Sequence, residues 1–447
     1  MKVSLSDHLT YKKVFFATFP SILMMVFSSV YSVIDGLFVS NFVGTDAFSG
    51  INLVFPMIAI LWGIGFMFGS GGSALVGKTL GEGDKEKANS IFSFVIYALV
   101  TFSVIFAIIG YFLVEPFTRW MASLSSDKSE SMVDTAIVYG HILALALPFA
   151  MLQNVFQSFF VTNERPITGF LFILAGGISN IVLDALFIAG LKWGVIGAAV
   201  ATVIGQVIAG IGPIFYFIFK KDSLLNLGKT RFDIKVLGKT MSNGSSEFVS
   251  NIASSIVSLC YNAQLLVYVG TNGVSSYGII MYLSYVFMAI FMGYSVGMAP
   301  IVSYNYGAQN KEELHNIFVK SMIVIGVAGL AMFGISEGVG PAIVSLFADG
   351  NNELYEIGSN AFHIYSFVFL TAGFSIFGSG FFTALNNGLV SAIISIVRAL
   401  IFELIAVWTL PLWLGVNGIW AAGPFAEIAS TAMTIFFYIK EKKKYGY

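Results

Sequence analysis

Among the ionisable side chains inside long apolar stretches of a 447-residue chain that is otherwise poor in charge are Asp35, His141, Asp184, His363, Arg398, Glu403 and Glu427. A charge in hydrocarbon is costly, so each is a candidate for chemistry or for a specific partner. Asp35 and Asp184 keep the most suggestive company. Tyr31 precedes Asp35 by one helical turn and Asn180 precedes Asp184 by the same interval, which puts each pair on one helix face. Thr202 lies eight residues into its own stretch, about 12 Å along a helix axis. That depth matches the two aspartates. Two carboxylates, an amide and a hydroxyl form an oxygen-rich set able to hold a proton or a small hard cation. A carboxylic acid withdrawn from water beside a second one resists ionisation, so its occupancy depends on which side it faces. The competing reading is two hydrated aspartates near a membrane surface, capping helices or facing water.

The other charges point elsewhere. Arg398 with Glu403 and Glu427 can neutralise itself and serve as structural glue for the second half. His141 and His363 read as polar helix residues rather than ligands. The single cysteine, Cys260, excludes an intramolecular disulfide and a cysteine-based metal cage. No HExxH, DDxxD or Walker loop is present, which argues against an intramembrane enzyme and requires no cofactor. Pro20, inside the first stretch, removes a backbone hydrogen bond and could bend the helix that carries Asp35. Met24, Met25, Met57 and Met67 offer an adaptable lining for an apolar cavity.

The elements that must position these residues are membrane spans. Hydrophobic residues make up 57% of the chain and charged residues only 11%, about half the charge of a soluble domain. The net charge of −1 gives no case for nucleic acid as a partner. Twelve stretches of about 20 or more mostly apolar residues can each cross the bilayer. They lie near 14–39, 48–72, 90–114, 133–158, 166–189, 194–219, 238–268, 275–302, 314–336, 357–382, 389–413 and 417–439. Lys and Arg crowd the two ends and the even-numbered loops, from Lys2, Lys12 and Lys13 through Lys220, Lys221 and Arg231 to Lys442, Lys443 and Lys444. The opposite loops hold Arg119, Lys128 and Lys192. This asymmetry predicts that both termini are cytoplasmic.

Residues 43–92 align without a gap on residues 226 positions later. Val43, Gly44, Thr45, Ser49, Ile64, Gly71, Val76, Gly81, Lys85, Glu86, Ile91 and Phe92 each recur at that offset. Gly194, Val195 and Gly197 recur as Gly415, Val416 and Gly418. With six spans on each side of the polar stretch 220–237, the chain divides into a first lobe (1–219), a cytoplasmic linker (220–237) and a second lobe (238–447). The expected fold is an all-α integral membrane protein of 12 transmembrane helices in two six-helix lobes, repeated in parallel topology about an axis along the membrane normal. The lobes do not repeat their chemistry: Asp35 falls opposite Tyr261, and Thr202 opposite Gly423.

Pro20 with Tyr31 and Asp35, the Gly-rich second span ending in Gly81-Glu82-Gly83-Asp84, Asn180-Ile181-Val182-Leu183-Asp184, the run from Gly194 to Thr202, and Gly418-Ile419-Trp420 with Pro424 and Glu427 resemble the multidrug and toxic compound extrusion (MATE) family, in its bacterial multidrug branch. The resemblance covers nearly the whole chain. It implies an antiporter of the bacterial cytoplasmic membrane, a monomer that exports amphiphilic organic cations and other small molecules in exchange for protons or sodium ions. It implies a cation site at Asp35, Asn180, Asp184 and Thr202, with Tyr31, Tyr139 and Asn154 as polar positions around the cavity, and a helix bend at Pro20. Another branch carries a carboxylate about two turns into span seven; here the only acid there, Glu247, comes too early, which favours the first lobe. A lipid-linked precursor flippase, or another amphiphile exporter of related fold, is the alternative. A cavity rich in Arg or Lys would favour it, and Arg398 is the one basic residue within the spans.

Overall fold

The computed structural model describes residues 3–124, 130–220, 222–348 and 351–447. Lys2, Lys128 and Lys221 lie outside the described residues. All twelve expected stretches are helical. They fall on α1 (Tyr11–Phe42), α2 (Thr45–Gly81), α3 (Lys85–Leu124), α4 (Glu130–Thr162), α5 (Pro166–Gly190), α6 (Gly194–Phe219), α7 (Ile234–Tyr268), α8 (Thr271–Gly307), α9 (Lys311–Ala348), the pair α10 (Asn352–Tyr365) and α11 (Val368–Ala384), α12 (Gly388–Leu414) and α13 (Val416–Tyr445). Among the described residues ten helices are long and apolar enough to span a bilayer alone. The pair α10 and α11, bent by 49°, makes an eleventh span. The twelfth is α7, whose first half carries Ser242, Asn243, Ser245, Ser246, Ser250 and Asn251 and is correspondingly less apolar.

Local signals set the ends. Thr10 accepts the Lys13 backbone N–H ahead of α1, and Asp233 accepts those of Lys235 and Val236 ahead of α7. Gly44 and Gly270, equivalent in the repeat, lead into α2 and α8 with φ of 122° and 83°, a region closed to most side chains. α1 runs unbroken through Pro20. His363 lies at the α10–α11 break, where it shares a 2.7 Å hydrogen bond with Glu337, which also accepts from Ser366. His141 stacks on Tyr111 at 4.3 Å. Met24, Met57 and Met67 are buried in three separate packing clusters, so they serve as core rather than cavity lining.

The two sets of six spans pack against each other chiefly through α1 with α8, α2 with α7 and α2 with α8. The repeat maps the first pairing onto the second. Their close approaches lie toward the end of the bundle that carries both chain ends, called here the terminal end. A Cβ on Gly71 would run into the Thr240 carbonyl oxygen of α7, and one on Gly297, its repeat counterpart, would meet Thr18 Cα of α1 at 2.9 Å. Gly81 is equally tight against the Tyr304 carbonyl oxygen, and Gly307 against that of Lys78. Lys78 and Tyr304 are themselves repeat counterparts. Gly65 and Gly69 serve a different face, abutting Met151 and Val155 of α4. Small residues thus let backbones touch where side chains would hold helices apart. Beyond Met24, Val39 is the only buried residue of α1, so α1 is least covered in the half that carries Asp35.

Candidate functional site

Backbone contact brings the first-lobe polar residues together. Cβ atoms on Gly176 and Gly205 would lie 2.6 and 2.8 Å from each other's carbonyl oxygens, so α5 and α6 cross at van der Waals distance. Asn180 and Thr202 flank that crossing, and the Asn180 amide donates to Thr202 Oγ1 at 3.5 Å. Gly177 lets the rings of Phe27 and Tyr31 press onto α5. One turn past Tyr31, Asp35 comes beside Asp184. Asp184 is the last residue of α5 before a π turn, Ala185–Gly190. Such turns recur at functional sites because they re-aim side chains within a continuous helix.

The electrostatics of this group are one-sided. Asp184 is fully buried and Asn180 nearly so. Asp35 Oδ1, both carboxylate oxygens of Asp184 and Asn180 Oδ1 are enclosed with no hydrogen-bond donor among the described residues. The Tyr139 hydroxyl stands beside both aspartates within reach of Thr202, whose own hydroxyl donates to the Ala198 carbonyl at 3.0 Å. Buried acceptors without donors are unfavourable. A proton shared by the carboxyl groups, or a cation held by the oxygens, removes that penalty.

Tyr31 lies one turn away and accepts a 3.2 Å hydrogen bond from Gln153. Tyr31, Gln153, Asn180, Thr202 and Gln206 line a small cavity of about 10 Å³, the size that admits one water or a small ion. Gln153 and Gln206 are additions to the sequence reading. Gln206 follows Thr202 by four residues, a same-face spacing that could have flagged it; Gln153 precedes Asn154 and carries no such signal. Asn154 donates to the Trp62 carbonyl at 3.4 Å, tying α4 to α2.

The second lobe repeats the geometry with other chemistry. Tyr261, opposite Asp35 in the repeat, has its hydroxyl 3.5 Å from where a Cβ on Gly423 would sit, and Gly423 is opposite Thr202. The same two helices meet at the same place, with a tyrosine and a glycine where the first lobe has a carboxylate and a hydroxyl. Tyr261 donates to Glu403 at 3.2 Å and stacks on Tyr277 at 4.9 Å. Arg398 donates to Glu427 at 3.1 Å, and Ser375 donates to the other oxygen of Glu427 at 2.7 Å. The basic residue is therefore neutralised by Glu427, and Glu403 is held by a phenol. Arg398 sits in a second π turn, Val397–Phe402, and Glu403 follows it.

Comparison with known proteins agrees with this architecture. The MatE family profile matches twice, over residues 20–186 and 248–409. The chain is 30% identical over 331 residues to the multidrug export protein MepA of Staphylococcus haemolyticus, covering 73% of this chain and 72% of that protein. It is 25% identical over 392 residues to MepA of Staphylococcus aureus, covering 88% and 85%. Among solved structures, an outward-facing multidrug resistance MATE family transporter superposes with a TM-score of 0.90 at 20% identity, covering 98% and 97% of the two chains. A transporter of the MOP superfamily from Pyrococcus furiosus superposes with a TM-score of 0.91 at 19% identity, covering 98% of each chain.

Proposed function

The chain belongs to the MATE family, as a multi-pass membrane transporter rather than an enzyme, and from that premise we propose that it exports amphiphilic organic cations and other small molecules in exchange for protons or sodium ions. The observation that carries the coupling half of this reading is the donor-less oxygen cluster of Asp35, Asn180 and Asp184. Such a site takes up a positive charge. The substrate half rests on the similarity to MepA.

The excess of Lys and Arg at the terminal end assigns that end to the cytoplasm. The structure then corresponds to a state closed toward the cytoplasm, with the lobes sealed by the Gly71, Gly81, Gly297 and Gly307 contacts. In the exchange cycle the cation fills the aspartate site from outside, the lobes rock, and the cation leaves inward as substrate enters. Antiport requires that cation and substrate favour different states or exclude each other. Asp35, Asn180, Asp184 and Thr202 hold the cation in this reading; Tyr31, Tyr139, Gln153 and Gln206 orient and enclose it. Lobe boundaries at 219 and 238 follow from the linker and the repeat. Arg398 is already paired with Glu427 and so is not free for an anionic headgroup, which weighs against a flippase.

The test is ethidium efflux from proteoliposomes under an imposed pH gradient or an imposed sodium gradient, one at a time. Asp35→Asn is expected to abolish gradient-driven efflux while leaving the thermal unfolding profile in detergent unchanged. Normal efflux by that variant would remove the first-lobe mechanism.

A further inference from the structure

Ahead of α1 the chain crosses the terminal end as a strap with a turn at residues 5–7, and its backbone is bonded to both lobes. Ser4 Oγ and the Leu5 N–H donate to Glu164 at 2.5 and 2.9 Å, at the corner between α4 and α5 of the first lobe. The next bonds go to the second lobe. Asn305 of α8 donates to the Leu5 carbonyl at 3.4 Å. Glu313 of α9, a buried carboxylate, accepts the Leu9 N–H at 2.9 Å and shares a 2.6 Å hydrogen bond with His8. Asn316 donates to the Leu9 carbonyl at 3.0 Å. Leu5 and Leu9 are buried beneath these bonds. Only Thr10 then separates Leu9 from the start of α1, which belongs to the first lobe again.

The linker does the same in mirror fashion. It leads into α7 of the second lobe, and it is bonded to the first. Asn163 accepts from Ser223 and the Leu225 N–H at 2.9 and 2.8 Å. Thr230 donates to the Ser90 carbonyl at 2.8 Å, and the Gly228 N–H donates to Ser93 at 3.0 Å. Ser90 is the repeat counterpart of Asn316. Each lobe's first helix is thus reached through a segment docked on the opposite lobe.

We propose that the N-terminal strap is a latch: the bonds of residues 8 and 9 to Glu313 and Asn316 hold the lobes together at the terminal end, and they must break before that end opens. The geometry leaves little alternative. One residue of slack cannot span a widening gap between α1 and α9, so separation of the two helices either breaks these bonds or is prevented by them. This inference rests on the alternating-access reading above, and the first arm of its test needs no transport.

In a Cys260→Ser background, Ser303→Cys reports closure, because Ser303 is buried on α8 facing Gly77 of α2. Asn316→Ala is expected to speed maleimide labelling of that cysteine roughly tenfold, the scale of one or two lost hydrogen bonds. An unchanged rate overturns the latch. In the second arm, His8→Cys and Glu313→Cys are bridged by a short bis-thiosulfonate cross-linker. Bridged protein is expected to lose efflux and to regain it when dithiothreitol removes the bridge. Undiminished efflux with the bridge in place would mean that the strap rides as a hinge, which also overturns the proposal. Faster labelling together with failed efflux under every gradient would instead count against the transport reading alone.

Discussion

Arg398, partly buried, and Glu427, buried, show how differently two withdrawn charges behave singly and as a pair. Together they cancel, with Ser375 satisfying the remaining carboxylate oxygen. Replacing one leaves the other enclosed without compensation, which costs about 3–5 kcal/mol, whereas replacing both with apolar residues of similar volume is close to neutral. Arg398→Met is therefore expected to lower the unfolding temperature in detergent sharply, and Arg398→Met with Glu427→Leu to recover most of the loss. A double variant no better than the single one would mean that the pair does more than neutralise. The aspartates obey the opposite logic, since nothing within the described residues neutralises them. That contrast was legible in part. The i, i+4 spacing of Tyr31 with Asp35 and of Asn180 with Asp184 named the face each residue shares. It could not name the partner across the gap, because periodicity describes one helix at a time. Gln153 and the Glu403–Tyr261 bond were beyond it for that reason.

Helices in this molecule are placed by where they lack side chains. Gly176 and Gly205 set the α5–α6 crossing, and Gly71, Gly81, Gly297 and Gly307 set the contact between lobes. The sequence showed that these glycines are many and repeated; it did not show which neighbour each one admits, since a glycine has no face of its own. The difference is testable within one residue type. Gly81→Val places a side chain against the Tyr304 carbonyl and is expected to destabilise the closed arrangement by about 1–3 kcal/mol. Gly334→Ala, in α9 with open space around it, is expected to be neutral or slightly stabilising, by up to about 1 kcal/mol. Thermal unfolding of the two variants side by side is the measurement. Equal losses would show that helix propensity, and not proximity, governs these positions. The α10–α11 break also escaped the sequence, where 357–382 reads as one apolar run; the bend comes at Ser366, where Glu337 gathers both Ser366 and His363.

At the scale of the whole molecule, twelve spans and an internal repeat could be read from hydropathy and self-alignment, because membrane helices must satisfy their own backbones and be apolar over a fixed length. The docking of residues 3–10 and 222–233 could not, because short polar segments carry no periodicity and take their shape from the surface they lie on. The two lobes share a scaffold, down to the left-handed glycines at 194 and 415, and differ in the groups they present at equivalent depths.

The seal between the lobes has a consequence for how the protein responds to its surroundings. At Gly71, Gly81, Gly244 and Gly307 it is peptide against peptide; the charge beside it, Lys78, pairs with Glu82 of its own helix and lies over the Tyr306 ring across the seam. Dissolved salt screens charges a Debye length apart, about 10 Å at 0.1 M, and finds little here to screen. Labelling of Ser303→Cys is accordingly expected to stay constant from low to molar potassium chloride. A closure built from ion pairs would loosen over that range, and a steep rise would show that electrostatic attraction, rather than close approach of backbones, keeps the terminal end shut.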